Sequence, residues 1–284
     1  MDGFDLSDHE LVQRTLNGEK RALNELVERH QPFIYNLAWK MIGNTQDAED
    51  LSQEALIKII SNLGSFNFKS SFQTWAYRIV RNHFLNDQRK SQLATQNFQQ
   101  YGKALDEIQN IHLSKSEREE KQDFIKETRL TCMSGMLLCL TKEQRMVFII
   151  GELFRANHNI GSEMMGISKA NFRMKLSKAR KDIVTFMQQK CGLIDKSNPC
   201  RCHKKVTVNL EAGTIDAKNL LYNRTEYSSF RKQLKEDADY IVDESELKYL
   251  ELHGDHSYKT DFEKKNFLRE LLDDVNWKNR LNLN

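Results

Sequence analysis

Proline and glycine are scarce in this sequence, with two prolines and twelve glycines among 284 residues. Barrels and sandwiches of short strands need many tight turns, and those turns draw heavily on both residue types. An all-β architecture is therefore disfavoured, and we expect an all-α fold.

Long apolar runs are also missing. Residues 146–150 form one of the longest, and a membrane-spanning helix needs roughly 20 apolar residues. The first ten residues, MDGFDLSDHE, are acidic and lack the apolar centre of a signal peptide. We therefore expect a soluble, cytoplasmic protein without a membrane partner.

The sequence has no motif that indicates catalysis. It contains no glycine-rich loop of the kind that cradles a phosphate and no paired acid–base motif. We therefore predict that the protein is not an enzyme and needs no cofactor.

Charge is unevenly distributed along the chain. The formal net charge is +3, but residues 207–284 contain sixteen acidic and twelve basic residues, a net of −4. Residues 1–206 therefore carry a net charge of +7. A basic body with an acidic tail favours an anionic partner for the body, although uneven charge is also common by chance.

The most informative stretch runs from Thr45 to Ser91. Its first part, TQDAEDLSQEALIKII, has acidic residues at i, i+3 and i+7 beside an apolar stripe, which predicts a helix with one acidic face. The acidic positions are Asp47, Asp50 and Glu54, and the apolar stripe comprises Ala48, Leu51, Ala55 and Ile59.

The last part of this stretch, FQTWAYRIVRNHFLNDQRKS, is also helical in its spacing and has two distinct faces. Ala76, Ile79, Val80 and His83 form a stripe suited to burial. A second stripe, about a third of a turn away at ~100° per residue, carries an aromatic, basic and amide residues. Its members are Trp75, Arg78, Asn82, Asn86 and Arg89.

Aromatic residues fill the loop between these two helices, with Phe66 and Phe68 in the loop and Phe72 just beyond it. Bases of single-stranded nucleic acid stack on aromatic rings, and Arg and Lys neutralise phosphates. Each aromatic residue alone is more simply explained as core. The fixed order of acidic helix, aromatic loop and basic–aromatic helix favours nucleic-acid binding.

In this order the motifs resemble region 2 of a bacterial RNA polymerase sigma factor of the extracytoplasmic-function (ECF) type. The matching residues are Asp47-Ala-Glu-Asp-Leu-x-Gln-Glu and Trp75-x-x-Arg78-Ile-x-x-Asn82. The resemblance implies that the acidic helix docks on the clamp helices of core RNA polymerase. The implied docking residues are Asp47, Asp50, Gln53 and Glu54.

The same resemblance implies that the aromatic loop and the helix after it melt the minus-ten promoter element and capture flipped bases. The implied contacts with the melted strand are Phe66, Phe68, Trp75, Arg78, Asn82 and Arg89.

The residues before Thr45 predict further helices. Ser7 and Glu10 form a capping box, and residues 21–30 and 33–42 are amphipathic. Pro32 between them either kinks one long helix or begins a second. Gly43 closes this part, and we expect Thr45 to cap the acidic helix.

Residues 93–116 are polar, rich in glutamine and weakly periodic, which predicts a flexible linker. The domains expected on either side are 1–92 (region 2) and 117–190 (region 4), followed by a cysteine-containing segment and helical extension over 191–284.

The second domain contains a candidate helix-turn-helix. Thr141 is the expected N-cap of a helix that resembles the opening of sigma region 4, and Gly166-Ile167-Ser168 forms the turn. The next helix has an apolar side for packing and a basic remainder, as in a helix that reads the major groove. Its apolar side comprises Phe172, Leu176, Ala179 and Ile183.

The predicted contacts of this helix with the minus-thirty-five element are Asn171, Arg173, Lys175, Lys178 and Arg180. The alternative is a solvated basic face; the turn and the KLSKAR run, which resembles the family's recognition helix, favour DNA.

One position departs from the family, because Gly161 stands where an aliphatic residue is usual. Glycine within a helix costs ~1 kcal/mol relative to alanine, so the first helix of the pair is expected to be short or displaced.

Among the five cysteines, Cys132 and Cys139 fit the helical pattern as buried thiols. The other three cysteines lie near a histidine, and three thiols with an imidazole can form a tetrahedral zinc site. These are Cys191, Cys200, Cys202 and His203. Their spacing is not that of a standard zinc knuckle, so reduced thiols are the default interpretation.

Residues beyond about 207 extend past the resemblance. Helices are expected at 227–242, 244–251 and 261–275, with Trp277 just beyond them. We expect this acidic extension to pack near the DNA-binding domain and tune binding; the alternative is an appendage that only adds stability.

The sequence therefore predicts a sigma factor whose partners are core RNA polymerase and promoter DNA, both duplex and melted; it leaves open whether an anti-sigma factor is a further partner. Two alternatives stay open: a helix-turn-helix regulator that binds duplex DNA without polymerase, and a zinc-dependent protein built on the cysteines.

Overall fold

The computed structural model describes residues 6–87, 97–154, 156–218, 220, 222–223 and 257–258. The predicted all-α fold is confirmed. Among these residues the one two-stranded sheet pairs Tyr222–Asn223 (β1) with Ser257–Tyr258 (β2) in antiparallel register, and an isolated bridge joins Cys191 to Cys200. None of the described helices is long and apolar enough to cross a membrane. The helices are α1 (Asp8–Leu16), α2 (Lys20–Ile42), α3 (Thr45–Ser61), α4 (Phe72–Asn86), α5 (Phe98–Glu107), α6 (Lys115–Glu120), α7 (Gln122–Leu138), α8 (Lys142–Phe148), α9 (His158–Met165), α10 (Lys169–Lys190) and α11 (Cys202–Glu211).

The helix starts follow their capping residues. The capping box of Ser7 and Glu10 opens α1, and Thr141 opens α8 with Gln144 as its partner. The predicted cap of α3 was wrong by one residue. The Asn44 side chain accepts a hydrogen bond from the Asp47 N–H at 2.9 Å, so Thr45 is already the first helical residue.

Helix α2 is one continuous helix that contains Pro32. Proline has no N–H to donate to the preceding turn, so one backbone hydrogen bond of the helix is missing there. The Pro32 carbonyl oxygen itself accepts a hydrogen bond from Asn36 Nδ2 at 2.8 Å. The helix ends at Gly43, whose φ of +76° lies in the left-handed region that favours glycine.

The N-terminal helices α1–α4 and the C-terminal helices α7–α10 contribute to one continuous apolar core. Phe33 of α2 meets Phe154 with ring centroids 4.4 Å apart, and α4 packs on α9. The buried Arg145 of α8 also joins the two halves. Its guanidinium donates to the carbonyl oxygens of Leu137, Leu138, Leu140 and Met41.

The predicted flexible linker contains a helix, which corrects the sequence interpretation. Helix α5 begins with a capping box between Asn97 and Gln100. The Phe98 and Tyr101 rings lie 5.3 and 5.7 Å from Phe186 of α10, measured between centroids. A few aromatic contacts thus hold a mostly polar segment to the core. Residues 93–96 lie outside the described part.

Helix α11 was not predicted and packs along α7. The helices expected at 227–242, 244–251 and 261–275, and Trp277, lie outside the described residues.

Candidate polymerase and nucleic-acid interface

The acidic side of α3 faces outward, as its spacing predicts. The stripe of Ala48, Leu51, Ala55 and Ile59 is buried against the neighbouring helices. Asp47 lies in the first turn, where the partial positive charge of the helix N-terminus stabilises a carboxylate. Of the predicted docking residues, Asp50 is exposed, whereas Asp47, Gln53 and Glu54 are partly buried.

Glu54 has a partner within the domain. Its Oε2 lies 3.2 Å from Nε2 of His83 on α4, and Lys58 Nζ lies 2.8 Å from Nδ1 of the same ring. The His83 side chain is 9% exposed and that of Glu54 is 44% exposed. The three side chains therefore bridge α3 and α4.

The loop aromatics are divided between core and surface. Phe66 is 4% exposed and packs against Phe72 and Trp75, with centroids 5.8 and 5.3 Å away. The prediction that Phe66 contacts DNA does not fit this packing, because its ring faces are covered. Phe68 is 37% exposed, has a φ of +59° and rests its ring against Phe66 and His9. It is the loop aromatic available for stacking.

A groove of about 540 Å³ lies between the end of α3 and α4. It brings together two of the predicted DNA contacts, Trp75 and Asn82, with Asn86 of the same helix face. Its other wall adds Lys58, Asn62 and Ser65, which the sequence interpretation missed. An indole for stacking, amides for base edges and a cation for phosphate are the groups that an unpaired nucleotide requires.

Arg78 lies outside this groove and is engaged by the second domain. Its Nε donates to the Glu163 carbonyl oxygen at 2.9 Å, and its Nη2 lies 3.4 Å from the Glu163 carboxylate. Glu163 belongs to α9, so a predicted minus-ten contact is joined to the helix-turn-helix. Arg89 lies outside the described residues.

The helix-turn-helix is formed by α9, a turn at Gly166 and α10. Gly166 has a φ of +59°, and the Ser168 side chain accepts a hydrogen bond from the Asn171 N–H that caps α10. The predicted buried side of α10 is confirmed; it comprises Phe172, Leu176, Ala179 and Ile183.

Gly161 is explained by close packing of the two helices. A Cβ added at this position would lie 2.8 Å from Cε1 and Cε2 of Phe172, and closer still to Cζ. The Phe172 ring thus occupies the space that an aliphatic side chain would fill. Helix α9 spans eight residues, and the missing side chain lets it approach α10 directly.

Three of the predicted upstream contacts are accessible, because Arg173 and Lys178 are exposed and Asn171 is partly so. Lys175 Nζ lies 2.9 Å from a Glu143 carboxylate oxygen. Arg180 requires a correction. Its Nε donates at 3.0 Å to the buried Glu152 carboxylate, and Nη2 donates to the same oxygen. The guanidinium therefore neutralises an internal acid.

The weak zinc candidate is not supported. Cys191, Cys200, Cys202 and His203 all lie among the described residues, where no three or more His, Cys, Asp or Glu side chains are placed to hold a metal ion. Cys202 and His203 are consecutive on α11, so their side chains diverge by ~100°. All five cysteines are free thiols.

Burial keeps several of these thiols protonated. It raises the pKa of Cys202 to about 12 and that of Cys139 to about 11, and it also raises the pKa of Cys132 and Cys200. The thiolate is the reactive and metal-binding form, so this environment suits structural thiols.

Comparison with known proteins places these features in a family. Residues 26–93 match the Sigma-70 region 2 family. The ECF RNA polymerase sigma factor SigW of Bacillus subtilis is 35% identical over 79 residues, which cover 28% of this chain and 42% of SigW. The RNA polymerase sigma-H factor of Pseudomonas aeruginosa is 43% identical over 75 residues, covering 26% of this chain and 39% of that protein.

A longer match joins this chain to the ECF RNA polymerase sigma-E factor of Escherichia coli K12. The two are 29% identical over 196 residues, which cover 64% of this chain and 95% of sigma-E. The chain thus spans about two fifths of the first two relatives and nearly all of the third.

The helical domain with its acidic α3, aromatic loop and α4 is a sigma-70 region 2 domain. Over a longer stretch the chain is similar to ECF RNA polymerase sigma factors.

Proposed function

We propose that this protein binds core RNA polymerase, directs it to promoters with particular minus-ten and minus-thirty-five elements, and promotes opening of the DNA. The observation that carries the proposal is the groove between α3 and α4. It combines Trp75 with Asn82, Asn62 and Lys58 on the region 2 domain, beside the outward acidic face of α3.

The two DNA elements are assigned to different helices. The melted minus-ten strand is assigned to the groove and to the exposed ring of Phe68. The duplex minus-thirty-five element is assigned to α10, through Asn171, Arg173 and Lys178, which the fold leaves accessible.

Run-off transcription with core RNA polymerase from the source organism tests the proposal on genomic fragments. The full chain is expected to give promoter-specific transcripts. Asp50→Lys should reduce transcription and core binding about tenfold or more, because reversing a charge within an interface creates repulsion. Glu107→Lys is the matched control, since Glu107 is an exposed acid on α5 and its reversal should leave transcription unchanged.

Tight duplex binding without transcription or co-purification with core polymerase would contradict the proposal and indicate a regulator that acts without polymerase. Equal losses in the Asp50 and Glu107 variants would show that α3 is not the docking face.

A further inference from the structure

His83 lies between two oppositely charged side chains at the edge of the α3–α4 groove. Its Nδ1 is 2.8 Å from Lys58 Nζ, and its Nε2 is 3.2 Å from Glu54 Oε2. An ammonium group can only donate, so Nδ1 must accept and the ring proton is placed on Nε2. The Glu54 carboxylate lies beside Nε2, and its negative charge favours a proton on that nitrogen.

The three groups differ in accessibility. The His83 ring is almost fully covered, whereas Lys58 is exposed and lines the groove. A lysine side chain carries about 2 kcal/mol of rotamer entropy, so an exposed ammonium seldom keeps one position by itself. The largely covered ring gives Lys58 an acceptor, and the Glu54 carboxylate lies against the other ring nitrogen.

The other residues that line the groove explain why a positive charge is useful in it. Asn62, Asn82 and Asn86 supply amides and Trp75 supplies an indole, all of which suit a base. Each base is attached to a phosphate, and Lys58 supplies a positive charge from the α3 wall, opposite Trp75 and Asn82. Asp87, at the end of α4, is the acidic residue of the lining.

We propose that Lys58 binds a backbone phosphate of the unpaired promoter strand in this groove, and that His83 and Glu54 are positioning residues for its ammonium group. The inference deepens the proposed function and rests on it. It also gives Glu54, which the family resemblance assigns to polymerase docking, a role in the DNA groove.

The test uses the full chain bound to core RNA polymerase and a fluorescent single-stranded oligonucleotide. Its sequence is the minus-ten strand of a promoter found by run-off transcription. The dissociation constant is measured by anisotropy over a series of KCl concentrations. Neutralising one phosphate of a single strand contributes about 0.7 to the slope of log K against log salt. Lys58→Gln is expected to lower the slope by about that amount.

Lys103→Gln is the matched control, because the Lys103 side chain on α5 is 80% exposed and the substitution removes the same charge. Its salt slope should equal that of the wild type. A Lys58→Gln slope equal to the wild-type value would overturn the proposal.

The positioning role is tested by a double-mutant cycle. His83→Gln should weaken binding of the oligonucleotide, and adding His83→Gln to Lys58→Gln should weaken it no further. If His83 were only structural, the two losses would add, and that result would refute its role.

Trp75→Ala separates this proposal from the function on which it rests. Weaker binding by Trp75→Ala, together with an unchanged slope for Lys58→Gln, would leave the groove as the strand site and remove only the role of Lys58. No oligonucleotide binding by the wild-type complex would refute both.

Discussion

Replacement of Gly161 by alanine sets two opposed effects against each other. Within an ordinary exposed helix this change stabilises by about 1 kcal/mol. Here the added Cβ would lie within 3 Å of ring atoms of Phe172, which is fully buried. Overpacking a core costs typically about 1–3 kcal/mol, and contact with a rigid ring places this case near the upper end. The net expectation is a loss of about 1–2 kcal/mol, obtained by setting the overpacking cost against the helix preference.

The measurement is thermal unfolding followed by circular dichroism, combined with binding of an upstream promoter duplex. A loss of this size should lower Tm by roughly 3–8 °C, and duplex affinity should fall because α10 is displaced. Gly102→Ala is the matched control, since its added Cβ would meet the flexible Lys190 side chain and the edge of Phe186 at 3.2 Å. That variant should lie close to the wild type.

Phe172→Leu introduced together with Gly161→Ala should recover part of the loss, because the smaller side chain vacates the contested space. A higher Tm for Gly161→Ala alone would refute the reasoning, since it would show that α9 and α10 are not in close contact at this position.

Three further outcomes follow from described contacts. Arg145→Met leaves four carbonyl oxygens without their donor and should lower stability by about 3 kcal/mol or more, since each unsatisfied buried acceptor costs about 1–3 kcal/mol; an unchanged Tm would contradict the described hydrogen bonds. Trp75→Ala should reduce open-complex formation, read by permanganate footprinting, roughly tenfold while duplex binding persists; equal loss of both would indicate a structural tryptophan. Burial lowers the pKa of Lys40 to about 7 from 10.5, so the unfolded chain binds more protons between those values and stability should rise with pH across that window. Lys40→Met should abolish that rise in urea titrations at several pH values, and a persistent rise would assign it to other groups.

Periodicity and capping were sufficient to predict most of the helices. The capping box at Ser7, the turn at Gly166 and the buried side of α10 all follow from local patterns, and the structure contains them. Helix α5 was missed because its glutamines conceal a sparse apolar pattern at Phe98, Tyr101 and Leu105, which pack against the core.

The site was predicted less completely than the fold, because its partners are distant in sequence. Arg180 meets Glu152 and Arg78 meets Glu163 only through tertiary packing. Phe66 illustrates a second limit: an aromatic residue in a loop has the same local pattern whether its ring faces solvent or the core. The sequence held one weak indication of a role for Lys58: it lies one helical turn after Glu54 on α3, so the two side chains share a face.

If Arg78 contacts DNA, as the family resemblance implies, its contact with α9 makes that binding an exchange of partners. The guanidinium already donates to a carbonyl and faces a carboxylate. A DNA phosphate that takes Arg78 must replace both partners, so the net affinity gained is only the difference between two sets of hydrogen bonds. An anion that binds weakly therefore gains little affinity from contacting Arg78. Under the proposed function, a strand held at the same time by the neighbouring groove would compete with Glu163 for Arg78, so this contact would favour DNA that already fits region 2.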